Sequence, residues 1–422
     1  MLQQFLRIVC ACAVVGGVFT SFAAVTHGGD WPQVLGPARN GVAKDERILD
    51  SFDADGPTEL WTRDAGQGVG GVAVQGDRVV LFHRTAQGDR AECFRKLNGE
   101  VLWQSAHFTT RYQSTILDDS GPRCVPVIAD GRVFLYASNG DLHCVKLDDG
   151  STLWSRSLFA DYATGAESGY FGAGSTPIVS EGKLWINVGG SRAEAGIVAL
   201  DPETGKTLWK GTAEGGSYSS PVEVTIAGES RLIFLTRMNL LSLNPATQQV
   251  DWRVPFGQRG PTVNGASPLV FDGNILVTAA YGIGCKCVAL KLTQPDVIWE
   301  SQDAMASQYT TPIVVNGTAY GVDGRHDLGV ARLRAFDPLT GDVLWTKKGF
   351  GKATLILADG KLLALTTAGK LVLIAPDKTA YKELASAQIS DERCLALPAL
   401  SDGLLFVKDQ SSLKCLDLRR AD

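Results

Sequence analysis

The 422-residue sequence has no excess of either charge, and this absence excludes one broad class of function. Forty-five acidic residues stand against 40 basic ones, which gives a formal net charge of −5. A protein that binds nucleic acid through the phosphate backbone needs a clustered basic surface. The sequence contains no such cluster and no block of like charge. We therefore expect no nucleic-acid partner.

Long apolar segments are also missing. The run near the N-terminus, residues 8–19, holds only twelve apolar or small residues, whereas a helix that crosses a bilayer needs about 20. Arg7 precedes this run, and Ser21 and Ala23 follow it at the spacing of a signal-peptidase site. We predict a signal peptide over residues 1–23, a periplasmic or secreted mature protein, and no transmembrane span after cleavage. The alternative is that the segment is retained as an N-terminal anchor.

The cysteines do not form a disulfide framework. Removal of residues 1–23 leaves seven, and an odd number leaves at least one unpaired within the monomer. When the internal repeats described below are aligned, Cys93, Cys144, Cys287 and Cys415 fall in the position that Ile197, Leu333 and Leu371 fill elsewhere. A thiol that alternates with Ile and Leu behaves as a small buried hydrophobe. We therefore predict free thiols in the core.

One segment recurs through the chain and indicates its architecture. Residues 199–209 read A-L-D-P-E-T-G-K-T-L-W, and residues 335–345 read A-F-D-P-L-T-G-D-V-L-W. Looser copies end at Trp103, Trp154, Trp252 and Trp299, so the tryptophans recur at roughly regular intervals. A period of this kind is the signature of a repeat architecture.

Each unit contains two turn signals between short apolar runs. Asp-Gly and Asn-Gly favour a type I′ hairpin turn, because both central residues take positive φ. The first turn of each unit is predicted at Gln75-Gly76, Asp130-Gly131, Glu181-Gly182, Ala227-Gly228, Asp272-Gly273, Asn316-Gly317, Asp359-Gly360 and Asp402-Gly403. The second turn, Asp-Pro-x-Thr-Gly in the clearest copies, precedes the tryptophan. Each unit is therefore predicted to form four short antiparallel strands, A to D, with the tryptophan on strand D.

Eight such units are predicted, and the last one is incomplete. Residues 394–418 lack a strand D, whereas Glu59-Leu60-Trp61 precedes the first strand A and is typical of a strand D without its sheet. An N-terminal strand that completes the C-terminal unit closes a ring and protects the sheet edges. We predict an all-β fold, an eight-bladed β-propeller over residues 57–422 that is closed by this N-terminal strand. Residues 24–56 are predicted to form an extended arm laid against the ring.

The repeat resembles a known family. The pattern Ala199-x-Asp201-x-x-Thr204-Gly205-x-x-x-Trp209, repeated at 335–345, is similar to the tryptophan-docking motif of the quinoprotein-like (PQQ-like) propellers. The resemblance implies that each indole packs against the next blade and fixes the angle between blades. It assigns this docking role to Trp61, Trp103, Trp154, Trp209, Trp252, Trp299 and Trp345. The opening motif at residues 31–41, W-P-Q-x-x-G-P-x-R-x-G, also resembles the start of many exported propellers of this kind.

The loops that precede each strand A contain the candidate binding residues. In a propeller these loops converge at one end of the central channel, so aromatic, amide and basic side chains there predict a binding mouth. The candidates are Arg123, Tyr170, Tyr218, Asn264, Tyr309, Lys352 and Arg393. The alternative interpretation is that these side chains fill and hydrogen-bond the narrow centre of the ring.

Two functions follow from the resemblance. The favoured hypothesis is an exported, non-catalytic scaffold that binds a protein, peptide or glycan partner, similar to the propeller scaffolds of outer-membrane protein assembly. The alternative is a dehydrogenase or divergent enzyme that holds PQQ and Ca²⁺ in the channel. Such dehydrogenases carry adjacent cysteines near the quinone, and this sequence has no Cys-Cys pair. No Glu, Asn or Asp set for calcium can be assigned either, so we expect no catalytic residue, no metal site and no cofactor.

Overall fold

The computed structural model describes residues 29–110, 112–114, 118–164, 171–260, 262, 264–325 and 328–420. These residues form eight antiparallel sheets, one for each predicted unit, and the sheets are the blades of a closed ring. The predicted eight-bladed β-propeller is confirmed. The predicted signal peptide, residues 1–23, lies outside the described residues.

The strands are numbered in chain order, and two of them precede the first blade: β1 (Val42–Ala43) and β2 (Thr58–Asp64). Blade 1 contains β3 (Val72–Gln75), β4 (Arg78–Thr85), β5 (Gly88–Arg95) and β6 (Val101–Gln104), and blade 2 contains β7 (Val127–Ala129), β8 (Arg132–Tyr136), β9 (Asp141–Lys146) and β10 (Thr152–Ser157). Blade 3 contains β11 (Ile178–Ser180), β12 (Lys183–Gly190), β13 (Ala195–Leu200) and β14 (Thr207–Gly211), and blade 4 contains β15 (Val222–Ile226), β16 (Glu229–Leu235), β17 (Asn239–Asn244) and β18 (Gln249–Pro255).

The second half of the ring follows the same order. Blade 5 contains β19 (Leu269–Phe271), β20 (Asn274–Ala279), β21 (Gly284–Ala289) and β22 (Val297–Ser301), and blade 6 contains β23 (Ile313–Val315), β24 (Thr318–Asp323), β25 (Arg332–Phe336) and β26 (Val343–Lys347). Blade 7 contains β27 (Ala353–Ala358), β28 (Lys361–Thr366), β29 (Lys370–Ala375) and β30 (Lys382–Gln388), and blade 8 contains β31 (Ala399–Ser401), β32 (Leu404–Lys408) and β33 (Ser412–Asp417). Helical structure in the described residues is limited to α1 (Leu158–Asp161) and a 3₁₀ turn (Ser191–Ala193).

Blade 8 is completed by the N-terminal strand β2, as predicted. This strand pairs antiparallel with β33, and Trp61 lies opposite Cys415. The arm contributes a further strand, because β1 pairs parallel with β27 through Val42 and Leu357 and makes blade 7 five-stranded. The ring is therefore closed at blade 8 and reinforced at blade 7 by residues from its own N-terminal end.

The A–B turns of blades 2 to 8 have positive φ at both central residues, as a type I′ turn requires. In blade 2, for example, Asp130 has φ 48° and Gly131 has φ 70°. The turn predicted for blade 1 was displaced by one residue. Gln75 pairs with Arg78 at the end of the hairpin, so the turn is Gly76-Asp77, and only Gly76 takes a positive φ.

The seven described cysteines are all free and buried, as predicted, but their alignment within the repeat was wrong. Cys93, Cys144, Cys287 and Cys415 each lie directly opposite the tryptophan of their own blade. The residues opposite the tryptophans of the other blades are Ala199, Ser242 and Ala335, not Ile197, Leu333 and Leu371. A small side chain is needed there because the indole on the neighbouring strand occupies the space. Burial raises the pKa of the Cys93 thiol to about 12, so these thiols stay protonated.

Candidate functional site

The tryptophans on the outer strands connect neighbouring blades. Six of them donate a hydrogen bond from Nε1 to a backbone carbonyl in the C–D turn of the next blade, at 2.7 to 3.0 Å: Trp61, Trp103, Trp154, Trp252, Trp299 and Trp345. Four of these indoles also pack against a glycine of positive φ, where a Cβ would lie within 3.0 Å of the ring. The seventh of the predicted docking tryptophans, Trp209, packs against Trp185 of its own blade, with the two ring centroids 5.6 Å apart.

The loops that precede the A strands enclose a cavity of about 320 Å³ at one end of the central channel. Five of the predicted mouth residues line it: Arg123, Tyr218, Tyr309, Lys352 and Arg393. Tyr170 lies outside the described residues, and Asn264 does not line the cavity. The position of the loops in the ring therefore brings together basic and aromatic side chains that are far apart in the sequence.

The Asn264 side chain forms hydrogen bonds within the ring. This arrangement fits the alternative interpretation, in which the mouth residues hydrogen-bond the centre of the ring instead of binding a ligand. Its side chain is buried, and Nδ2 donates to the carbonyl oxygen of Thr236 at 2.8 Å and to that of Arg237 at 3.3 Å. The backbone carbonyl oxygen of Asn264 accepts from the backbone N–H of Tyr218 at 3.1 Å. The amide therefore satisfies backbone groups between blades 4 and 5 and is not available to a ligand.

Two tyrosine rings are held at the mouth by glycines of the preceding blade. A Cβ on Gly174 would lie 2.3 Å from the Tyr218 ring, and one on Gly265 would lie 2.6 Å from the Tyr309 ring. The Tyr218 hydroxyl accepts from the backbone N–H of Phe171 at 2.8 Å. Burial raises the pKa of Tyr218 to about 12, so its hydroxyl stays neutral and its ring is a fixed part of the wall.

The three cations of the cavity differ in their surroundings. Arg123 donates to the carbonyl oxygen of Gly121 at 2.9 Å and to the Ser138 hydroxyl at 3.1 Å, so loop atoms fix its position. Lys352 places Nζ 4.1 Å from the centroid of the Tyr309 ring, and burial lowers its pKa to about 8. Arg393 is exposed at the rim. The described residues that line the cavity include no Asp or Glu.

The N-terminal arm contributes to this site, which the sequence did not indicate. Val34 and Leu35 form part of the cavity wall. Arg39 is fully buried, and its guanidinium donates to the carbonyl oxygens of Pro221 at 2.9 Å and of Pro177. Burial lowers its pKa to about 9. The arm therefore enters the channel instead of lying on the outside of the ring.

The path of the arm across the channel follows from its backbone hydrogen bonds. Trp31 exchanges two with Val74 of blade 1, and the Pro32 carbonyl accepts from Ile128 of blade 2 at 2.8 Å. The opening motif is suited to this route because Gly36 has φ 81° and a Cβ there would lie 2.9 Å from the Trp31 ring. The glycines and the arginine of the motif were the available signal, but nothing local reveals which blades they meet.

The described residues contain no group of three or more His, Cys, Asp or Glu side chains that could hold a metal ion. No helix in this described part of the chain is long and apolar enough to cross a bilayer.

The fold and the inter-blade tryptophans define a PQQ-like β-propeller, which confirms the predicted resemblance. Residues 87–347 match the family described as outer membrane protein assembly factor BamB, and this match covers more than half of the chain. The chain belongs to this family.

Relatives at the sequence level have the same description. BamB of Salmonella typhimurium is 26% identical over 310 residues, which cover 67% of this chain and 71% of the relative. BamB of Escherichia coli is 26% identical over 312 residues, with the same coverage of each chain. These similarities confirm the prediction of a periplasmic or secreted scaffold at the level of the family.

Solved structures show the same fold at lower identity. BamB from Moraxella catarrhalis aligns with a TM-score of 0.62 and 13% identity, over 86% of this chain and 98% of the other. The quinohemoprotein alcohol dehydrogenase from Comamonas testosteroni aligns with a TM-score of 0.68 and 14% identity, over 94% of this chain and 82% of the other. The propeller is therefore shared by scaffolds and dehydrogenases, and the fold does not distinguish between them.

The cavity residues decide whether a quinone with calcium fits here. Calcium in proteins takes about six to eight oxygen ligands, with carboxylates prominent among them, and proton abstraction needs a positioned base. The described lining residues offer hydroxyls, one amide and three cations, but no carboxylate. These residues do not fit a PQQ–calcium site.

Proposed function

We propose that the chain is a periplasmic scaffold that binds protein partners during the assembly of outer-membrane proteins. The observation that carries the proposal is the family match over residues 87–347. The relatives are described as assembly factors for outer-membrane proteins, so we propose a protein as the partner in preference to a peptide or a glycan.

The perimeter of the ring supplies a surface for such a partner. On strand D of every blade, the pairing with strand C skips the residue before the docking position, which is a β-bulge. In six blades this skipped residue is aliphatic and 36–49% exposed: Leu60, Leu153, Leu208, Ile298, Leu344 and Leu384. We call these six side chains the perimeter residues.

The bulges influence how a partner can bind. A regular edge strand accepts another strand through its free backbone groups, and a bulge disrupts that pairing. The perimeter residues therefore offer side-chain contacts instead of a continuous edge for strand addition. Apolar contacts flanked by polar residues are typical of protein–protein interfaces.

The proposal can be tested by site-specific photo-crosslinking in the native cells. A photoreactive residue is placed at Leu153, Leu208, Ile298 or Leu344, one at a time, and crosslinked proteins are identified by mass spectrometry. Exposed polar positions of the same strands, Lys210 and Glu300, are the matched controls. We expect crosslinks to proteins of outer-membrane assembly from one side of the perimeter and weaker ones from the controls.

A deletion strain gives an independent test of the same proposal. Loss of a scaffold for this process should lower the amounts of outer-membrane β-barrel proteins, measured by quantitative proteomics of isolated outer membranes. Unchanged amounts, together with no crosslink from any perimeter position, would contradict the proposed function.

A further inference from the structure

The cavity at the channel mouth contains two cations that have no anionic partner. Lys352 contacts the Tyr309 ring through Nζ, and within the described residues the side chains of Lys352 and Arg393 form no hydrogen bond and no ion pair. Both side chains line the same cavity. Removing an ammonium group from water without pairing it is costly, and burial lowers the pKa of Lys352 accordingly.

The remainder of the cavity wall is largely apolar. Val34 and Leu35 of the arm line it together with Val69, Val125 and Leu397 of the ring. A volume of about 320 Å³ lies at the lower end of the range for small-ligand pockets, about 300–1,000 Å³. A ligand that fits this wall needs an apolar body, and the two cations require it to carry a negative charge.

We propose that this cavity binds a carboxylate attached to an apolar group. Lys352 and Arg393 contact the carboxylate, and the Tyr309 ring and the aliphatic wall contact the apolar group. Such a group occurs both in a free aromatic acid and in the C-terminal residue of a polypeptide. The inference goes beyond the proposed scaffold function, because the site is inside the channel and shares no residue with the perimeter.

The cavity is organised before a ligand arrives. The backbone carbonyl of Lys352 accepts from Thr367 N–H at 2.9 Å, and the Tyr309 ring lies against Gly265, where no Cβ could fit. Arg123 is held by loop atoms, so it contributes charge without moving. The parts of the wall that are already ordered, the Tyr309 ring and Arg123, lose little entropy when a ligand binds.

Isothermal titration calorimetry on the exported chain at pH 7 tests the proposal with two matched pairs of probes. The first pair is 2-naphthoate and the neutral 2-naphthylmethanol. The second is a pentapeptide that ends in phenylalanine with a free carboxylate, and the same peptide as its C-terminal amide. We expect one or both carboxylates to bind at least about tenfold more tightly than their neutral counterparts, as charge-assisted hydrogen bonds imply.

Substitutions assign the binding to this cavity. Lys352→Met and Arg393→Gln are each expected to weaken binding of the carboxylate by about tenfold. Lys361→Met is the matched control, because Lys361 belongs to the same blade but pairs with Asp50 and Asp359 and does not line the cavity. Circular dichroism and thermal melts verify that each variant is folded.

The probes also distinguish the two sources of the carboxylate. Tighter binding of the free-acid peptide than of naphthoate supports a polypeptide terminus, and the reverse supports a small aromatic acid. If neither carboxylate binds, if the neutral probes bind equally well, or if folded Lys352→Met retains full affinity, the proposal is wrong. These outcomes do not depend on the crosslinks from the perimeter, so failure of one proposal leaves the other standing.

Discussion

Replacement of Lys352 by methionine is expected to stabilise the folded chain at neutral pH. The usual pKa of a lysine is 10.5, and burial lowers that of Lys352 to about 8. At about 1.4 kcal/mol for each pH unit, the difference corresponds to about 3 kcal/mol. The side chain is only partly buried and Nζ lies over an aromatic ring, so solvent screening and the cation–π contact reduce the gain to about 1–2 kcal/mol.

The sign of the pH dependence follows from linkage. Below pH 8 the ammonium group is charged in both states, and the folded state bears the full cost of burying it. Between about pH 8 and 10.5 the unfolded chain binds more protons than the folded chain, so stability rises with pH. The other charged groups that line the cavity, Arg123 and Arg393, are cations, so neither offers the ammonium group a compensating negative charge. The advantage of the methionine variant should therefore shrink as the pH rises.

Urea denaturation at pH 7 and at pH 10, followed by tryptophan fluorescence, measures this effect. Lys361→Met is a control for which the opposite change in stability is expected. Burial acts to lower the pKa of Lys361, but hydrogen bonds with Asp359 and Asp50 outweigh it and raise that pKa. Losing that lysine should lower the free energy of unfolding at pH 7. The reasoning is refuted if Lys352→Met is less stable than the natural chain at pH 7, or if its advantage is the same at both pH values.

Three further predictions concern the ring and the arm. Trp252→Ala should lower the free energy of unfolding by about 3–5 kcal/mol, because Trp252 is buried. Trp252→Phe loses the hydrogen bond to Lys291 and part of the ring volume, so it should cost less, about 1–3 kcal/mol; equal effects in urea melts would contradict the packing argument. Arg39→Met should cost at least about 2 kcal/mol, because it leaves buried carbonyls unpaired, whereas an unchanged melting temperature would show that the arm does not depend on it. A chain that begins after Trp61 lacks most of the strand that completes blade 8 and should aggregate; light scattering identical to that of the full chain would refute closure.

The fold could be predicted from the sequence because its signals are local and repeated. Asp-Gly turns and tryptophans specify each blade separately, and the same signals recur around the ring. The cysteine alignment failed because the turn between strands C and D varies in length. Cys93, Cys144, Ala199 and Ala335 each precede their tryptophan by ten residues, whereas Cys287 precedes Trp299 by twelve. Matching Cys287 to Ile197 therefore displaced the whole set by two residues from its true partners.

The candidate site was predictable only to the extent that the fold fixed it. The loops before the A strands had to converge, and Lys352 and Tyr309 line one cavity as a result. Whether an individual side chain points into the cavity depends on its hydrogen-bond partners. Asn264 turns towards the carbonyls of Thr236 and Arg237. The contacts of Arg39 with blades 3 and 4 join residues more than a hundred positions apart, and no local pattern encodes them.

Blade 8, which combines β2 with β31, β32 and β33, also sets the order in which the blades can form. Blades 1 to 7 each draw their four main strands from one continuous stretch of chain, so each can fold soon after its own residues emerge from the export machinery. Blade 8 must wait, because β2 leaves early and its partner β33 leaves last. A chain that lacks either of these strands therefore keeps an open seam at blade 8, where the unpaired edge of the sheet is exposed to other proteins.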